Sequence, residues 1–183
     1  PFAGRLGEEV ASTTFALHDD GRDPAGAASA PFDGEGVPRR RTALIEGGAL
    51  QSYLYDTYTA NREGTSSTGS AARSGYRSLP SVSASNLIVA AGDLSTAALL
   101  AEAGEGVFVT DVAGLHSGVN PVTGVFSVGA SGRVISGGAL AEPIREFTIA
   151  GELVAMLRAV AAAGSETRWV PFGGSVQTPP LLV

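Results

Sequence analysis

The chain has 183 residues, 44% hydrophobic and 16% charged, with a formal net charge of −6 and no cysteine. That balance buries a sizeable core within a single domain, 1–183, and excludes a disordered chain. The acidic surplus disfavours nucleic acid as a partner, the missing thiols exclude disulfides and thiolate-bound metal, and no apolar run reaches the roughly 18–20 residues of a membrane span.

Phe2, Leu6 and Val10 stand at helix-like spacing, which predicts the end of a helix over 1–12. A chain opening on Pro1 is expected to be processed or a fragment. Thr13 to Leu17 reads as a strand closed by His18-Asp19-Asp20-Gly21, and 22–30 as a small polar loop. In PFDGEGVPRRR, from Pro31 to Arg41, glycines and Pro38 punctuate a turn. Arg41 to Glu46 and Ala49 to Asp56 then predict a hairpin across Gly47-Gly48, since a type I′ turn needs φ > 0 at both central residues. Tyr58 to Glu63 makes a helical turn ended by Gly64. A long Ser, Thr, Gly and Arg loop follows from Thr65 to Ser85, of a length usually functional or mobile.

Asn86 to Ala91 is a buried-strand pattern, and Ser95 is placed to cap a helix that Gly104 ends. Val107 to Val109 is a short strand, and 114–118 a glycine-flanked loop. Two further β-type runs, 125–128 and 133–136, lead over Gly137-Gly138 into a last run at 144–149. The motif Ile-x-Gly-Gly-Ala-Leu thus occurs twice, at 45–50 and 135–140, as a reused hairpin. Leu153, Met156, Leu157 and Val160 mark one face of a packing helix closed by Gly164. The tail offers a strand over 167–170, a glycine turn and a last strand at 181–183. Strands in hairpins and a meander, with two or three segregated helices, predict an α+β fold with a mainly antiparallel sheet.

No nucleophile elbow, phosphate loop or dinucleotide fingerprint is present. His116 lies alone in its loop, whereas zinc needs three or four convergent ligands. His18-Asp19-Asp20 reads as a solvated turn, because hard cations want six or more oxygens from several segments. Arg39-Arg40-Arg41 cannot all meet one anion, since neighbours on a strand point to opposite faces. Arg73 and Arg77 are better placed to grip a peptide carboxylate with a bidentate fork. With His116 and Asn120 they form the candidate substrate-binding set, chosen by loop position. No catalytic residue and no metal ligand is expected.

Several stretches together resemble the C-terminal domain of the TldD/PmbA family, also called modulators of DNA gyrase. They are PFDGEGVPRRRTALIEGGAL at 31–50, DTYTANREG and STGSAAR within 56–73, NLIVAAGD at 86–93, NPVTGVFSVGASG at 120–132 and REFTIAGELVAML at 145–157. The closing GGSVQTPPLLV adds to the likeness. The resemblance implies a two-subunit protease, and the absence of cysteine suits a cytoplasmic location. One subunit, TldD-type, carries a zinc-binding HExxxH helix and a cysteine ligand near the C-terminus, while its TldE/PmbA-type partner lacks the metal. The helix would fall in a family N-terminal domain upstream of Pro1. The cysteine would fall within GSETRWVPFGGSVQ, Gly164 to Gln177, which has none.

The resemblance therefore implies a non-catalytic TldE/PmbA-like subunit without a cofactor. Its partner is a TldD-type subunit or a second copy of itself, and its substrate an unfolded peptide bound as an added strand. One alternative is an active zinc metallopeptidase with a replaced third ligand; nothing in the spacing of His116, Glu142 or Glu166 recommends them for it. The other alternative is a modulator of DNA gyrase acting by protein contact.

Overall fold

The structure is a computed structural model that describes residues 1–170 and 175–183. In chain order its elements are β1 (Leu17–Asp20), β2 (Arg41–Glu46), β3 (Ala49–Leu50), α1 (Thr57–Glu63), β4 (Ala71–Ala72), β5 (Ser81–Val82) and β6 (Asn86–Val89). Next come α2 (Thr96–Ala103), β7 (Gly106–Ala113), α3 (Leu115–Gly118), β8 (Val125–Ser136), β9 (Ala139–Glu152) and α4 (Leu153–Arg158). The last are β10 (Ala162–Ala163), β11 (Arg168–Val170), β12 (Ser175–Thr178) and β13 (Leu181–Leu182).

A six-stranded sheet runs β11-β12-β6-β1-β2-β3, and a separate three-stranded sheet runs β7-β8-β9. Every pairing is antiparallel except β12 with β6. The fold is α+β with an antiparallel framework, as the hairpin pattern predicts.

Both Gly-Gly pairs turn hairpins with nearly the same backbone: φ is 55° and 78° at Gly47-Gly48, and 56° and 77° at Gly137-Gly138. The second strand of the first hairpin is much shorter than predicted, ending at Leu50. The predicted Ser95 cap forms, and the structure adds a second cap at Asp56. Asp56 accepts from the Thr59 amide at 2.7 Å ahead of α1, and Ser95 from Ala98 ahead of α2. Gly64 ends α1 in the left-handed conformation.

Four predictions are corrected. Residues 1–12 form no helix. Gly4 and Gly7 take φ of 75° and 82°, and the segment's amides bond to the β2–β3 hairpin instead, Gly7 to Leu50 and Val10 to Gly48. The strand predicted at 13–17 begins at Leu17, because Ser12 and Thr14 share a hydroxyl bond at 2.7 Å and Phe15 closes a turn on Ser12. It then runs through the polar residues assigned to its closing turn. Buried Asp19 is accommodated there by accepting from the Ser85 amide and hydroxyl at 2.7 and 2.8 Å.

The two runs predicted at 125–128 and 133–136 are one strand, β8. Gly132 does not break it. A side chain there would lie 2.1 Å from the Phe108 carbonyl, so glycine lets β7 approach. The packing helix stops at Arg158 rather than Gly164, since Ala162 and Ala163 pair with β13. Its buried residue is Val154; Val160, just beyond its end, is buried too, while Met156 faces solvent. The predicted loop at 114–118 contains the single turn α3, and the long 65–85 loop contains the small β4–β5 hairpin. The glycine turn predicted before residue 175 lies outside the described residues.

The main core is Val10, Ala11, Phe15, Ile45, Leu50 and Val160, flanked by Phe2, Leu17, Tyr53, Val89, Leu157 and Leu181. Each fully buried large apolar side chain contributes about 1.5–3 kcal/mol. Asn86 is wholly buried and anchors the 21–30 loop to this sheet. Its amide donates to the Asp20 carbonyl and the Ser29 hydroxyl, and its oxygen accepts from Ala28.

Candidate functional site

The chemistry-bearing residues fall into two exposed loops rather than one cleft. The first hangs on Asp33. One of its carboxylate oxygens accepts from the Glu35 and Val37 amides, both at 2.9 Å, and the other accepts from Ala71 at 3.0 Å. Glu35 accepts from the Thr57 amide at the start of α1. The acidic turn DGEG is thus a clamp joining β4 to α1; the sequence marked it only as a glycine-punctuated turn.

Arg73 leaves β4 and donates to the Gly34 carbonyl at 2.7 Å and the Ser78 carbonyl at 2.6 Å. Its fork is engaged in holding its own loop. Arg77 lies over the Tyr76 ring, 5.0 Å from the centroid. Of the basic run, Arg40 donates to the Ser67 and Thr68 carbonyls of the same loop, whereas Arg39 turns to the Phe32 carbonyl and Arg41 to His18.

The second loop joins β7 to β8. His116 is exposed on α3. The Asn120 side chain accepts from the Val122 and Thr123 amides at 2.9 and 3.1 Å, shaping the turn into β8. Asn120 also lines a shallow open groove with Gly118, Val119, Pro121 and Phe126. The structure therefore groups Arg73 with Arg77, and His116 with Asn120, on separate sheets.

Burial and the adjacent Arg41 guanidinium hold the His18 imidazole below its usual pKa. Burial raises the Asp19 carboxyl against the opposing Ser85 hydrogen bonds. The Thr59 hydroxyl and amide lower Asp56.

The family model for the PmbA/TldA metallopeptidase C-terminal domain matches residues 1–183. The chain belongs to the PmbA/TldD family. It is 35% identical over 179 residues to the Haemophilus influenzae metalloprotease PmbA homolog, covering 97% of this chain and 36% of that protein. Over 180 residues it is 33% identical to the PmbA metalloprotease of Escherichia coli O157:H7, again covering 97% of this chain and 37% of that protein.

The crystal structure of TldE from Thermococcus kodakarensis superimposes with a TM-score of 0.91 and 31% identity, over 99% of this chain and 41% of that one. A Thermotoga maritima protein described as a modulator of a DNA gyrase gives a TM-score of 0.89 and 33% identity, over 100% of this chain and 41% of that one. The chain spans about a third of the length of the curated relatives.

The family name implies a metal. Among the described residues no three His, Cys, Asp or Glu side chains converge, and the two histidines sit apart on β1 and α3. The described residues by themselves therefore supply no three-ligand set. No helix among the described residues is long and apolar enough to cross a membrane.

Proposed function

We propose that this chain is a single C-terminal domain of a TldE/PmbA-like, catalytically silent subunit. It works in the cytoplasm beside a TldD-type metalloprotease subunit or a second copy of itself, around a chamber where unfolded peptides are cut. The observation that carries this reading is the cysteine-free segment 164–177, where the zinc-bearing branch is expected to hold its thiolate. The higher identity to the Haemophilus PmbA homolog, 35% against 28% for the TldD homolog of that organism, supports the same side.

In this reading an extended peptide pairs with an open strand edge of the meander, where backbone hydrogen bonds give affinity with little sequence preference. Asn120, which lines the groove beside β8, is its proposed side-chain contact, with His116 exposed on the preceding turn α3 as a second.

Metal analysis of the full-length protein, purified alone without chelator, tests the proposal. Zinc far below stoichiometry, with peptide cleavage appearing only on addition of a TldD-type subunit, is the expected result. Stoichiometric zinc with cleavage by the protein alone would overturn it in favour of the metallopeptidase alternative.

A further inference from the structure

Helix α2 is tied at one end to the tail of the chain and at the other to the meander. Of its eight residues only Leu99 is buried, so contacts at its ends decide where it lies. At its start the Gly92 amide donates to the Gly164 carbonyl at 2.9 Å, and the Ser165 amide donates to the Leu94 carbonyl at 2.8 Å. The Thr96 hydroxyl donates to the Glu166 carboxylate. The approach is close: a side chain at Gly92 would lie 2.2 Å from the Ala163 carbonyl. The first turn of α2 is thereby fixed to residues 164–166, which open the cysteine-free stretch 164–177.

At the other end the turn of the β8–β9 hairpin rests on the helix. The Gly138 amide donates to the Gly104 carbonyl at 2.8 Å, and a side chain at Gly138 would lie 2.9 Å from the Ala101 Cα. One Glu105 carboxylate oxygen accepts from the Gly137 amide at 2.7 Å and from the Ser136 hydroxyl at 3.3 Å. The Gly47-Gly48 turn takes nearly the same φ in a different setting, so Glu105 is not what bends the chain. It places a finished hairpin.

A helix of this length spans about 12 Å and moves as one body, because bending it would break its own hydrogen bonds. We propose that α2 is a strut coupling the meander to residues 164–166, with Glu105 as the positioning residue at its end. Peptide on the meander is then felt at 164–166, and a change at 164–166 alters the peptide edge. The peptide half of this coupling rests on the reading of the meander edge as the peptide site; the strut itself does not.

Amide hydrogen exchange in the full-length protein tests the strut. Glu105 is exposed, and Glu105→Ala should speed exchange on the order of fivefold at Gly137 and Gly138 and also, across the helix, at Gly92 and Ser165. Glu105→Gln keeps an acceptor oxygen and should restore the wild-type rates. Coupling is reciprocal, so Thr96→Val at the far end should speed exchange at Gly138. A fluorescein-labelled Ala-Thr repeat peptide, followed by anisotropy, should bind Glu105→Ala on the order of fivefold more weakly than wild type. Its binding should slow exchange at Ser165 in wild type and not in Glu105→Ala. Faster exchange confined to Gly137 and Gly138 in Glu105→Ala would overturn the strut, as would a wild-type rate at Gly138 in Thr96→Val. Equal peptide affinity in wild type and Glu105→Ala would overturn the positioning role. A wild-type protein that binds no peptide would overturn the peptide reading, and the exchange rates would still decide the strut.

Discussion

The motif Ile-x-Gly-Gly-Ala-Leu is used twice, with φ matching to about a degree at each glycine, yet its two copies live in different worlds. In the first, Ile45 and Leu50 are both buried in the main core, and the β2–β3 turn is clasped by the chain's opening segment. In the second, Ile135 is buried but Leu140 only partly so, and the hairpin extends the β8–β9 meander, whose outer strand contains no buried residue. The difference teaches that six residues specify a turn but not its surroundings. Local backbone chemistry is transferable; burial is decided by what the distant chain brings.

The second glycines should show the largest contrast. A side chain at Gly48 would lie 2.5 Å from the Ala11 carbonyl, whereas one at Gly138 would lie 2.9 Å from the Ala101 backbone on a short helix able to shift. Gly48→Ala is expected to cost about 4 kcal/mol and Gly138→Ala about half that, as left-handed strain adds to a backbone clash. Urea unfolding of the two variants measures both, and equal losses would break the comparison.

Ile45→Ala should cost about 3–4 kcal/mol, and Ile135→Ala about 2 kcal/mol because Ile135 lies outside the main core cluster, where the surroundings can relax further into the cavity. The first glycines sharpen the point from the other side. A side chain at Gly47 or Gly137 would meet nothing within 4 Å, so alanine at either should cost about 1 kcal/mol, the same in both hairpins.

The smallest effect is a pH dependence confined to one sheet. Asp19 is buried in the six-stranded sheet, whereas no polar side chain between 105 and 152 is buried. Its raised pKa means the folded state holds a proton that the unfolded chain has released. That contribution is complete below the usual carboxylate pKa and fades as pH rises through the raised value. Asp56, lowered by Thr59, runs oppositely and loses its contribution as pH falls. Asp19→Asn should flatten the first of these slopes in melts between about pH 3 and pH 6. Hydrogen exchange of the β8–β9 amides should not follow it.

The sequence made legible what depends on neighbours within a few residues. The two Gly-Gly turns, the Ser95 cap, the Gly64 and Gly104 stops and the tail strands at 168–170 and 181–182 all follow from local chemistry. It hid what depends on partners far along the chain. His18-Asp19-Asp20 reads as a turn until Ser85 supplies two donors, and β8 reads as two strands until β7 explains Gly132. The loop candidates were legible as loops, but not their engagement. Only the fold shows Arg73 holding Gly34 and Ser78, or Asn120 capping its own turn.

The parallel pairing of β12 with β6 has a consequence for synthesis. Residues 175–177 pair with 86–88, between β1 on one side and β11 on the other. On a ribosome the N-terminal half emerges with β6 presenting an open, largely apolar edge, and that edge stays open until nearly ninety more residues have been added. Sheet closure is therefore a late event of high contact order. The nascent chain has to shield β6 in the meantime, by transient self-contact or by a chaperone.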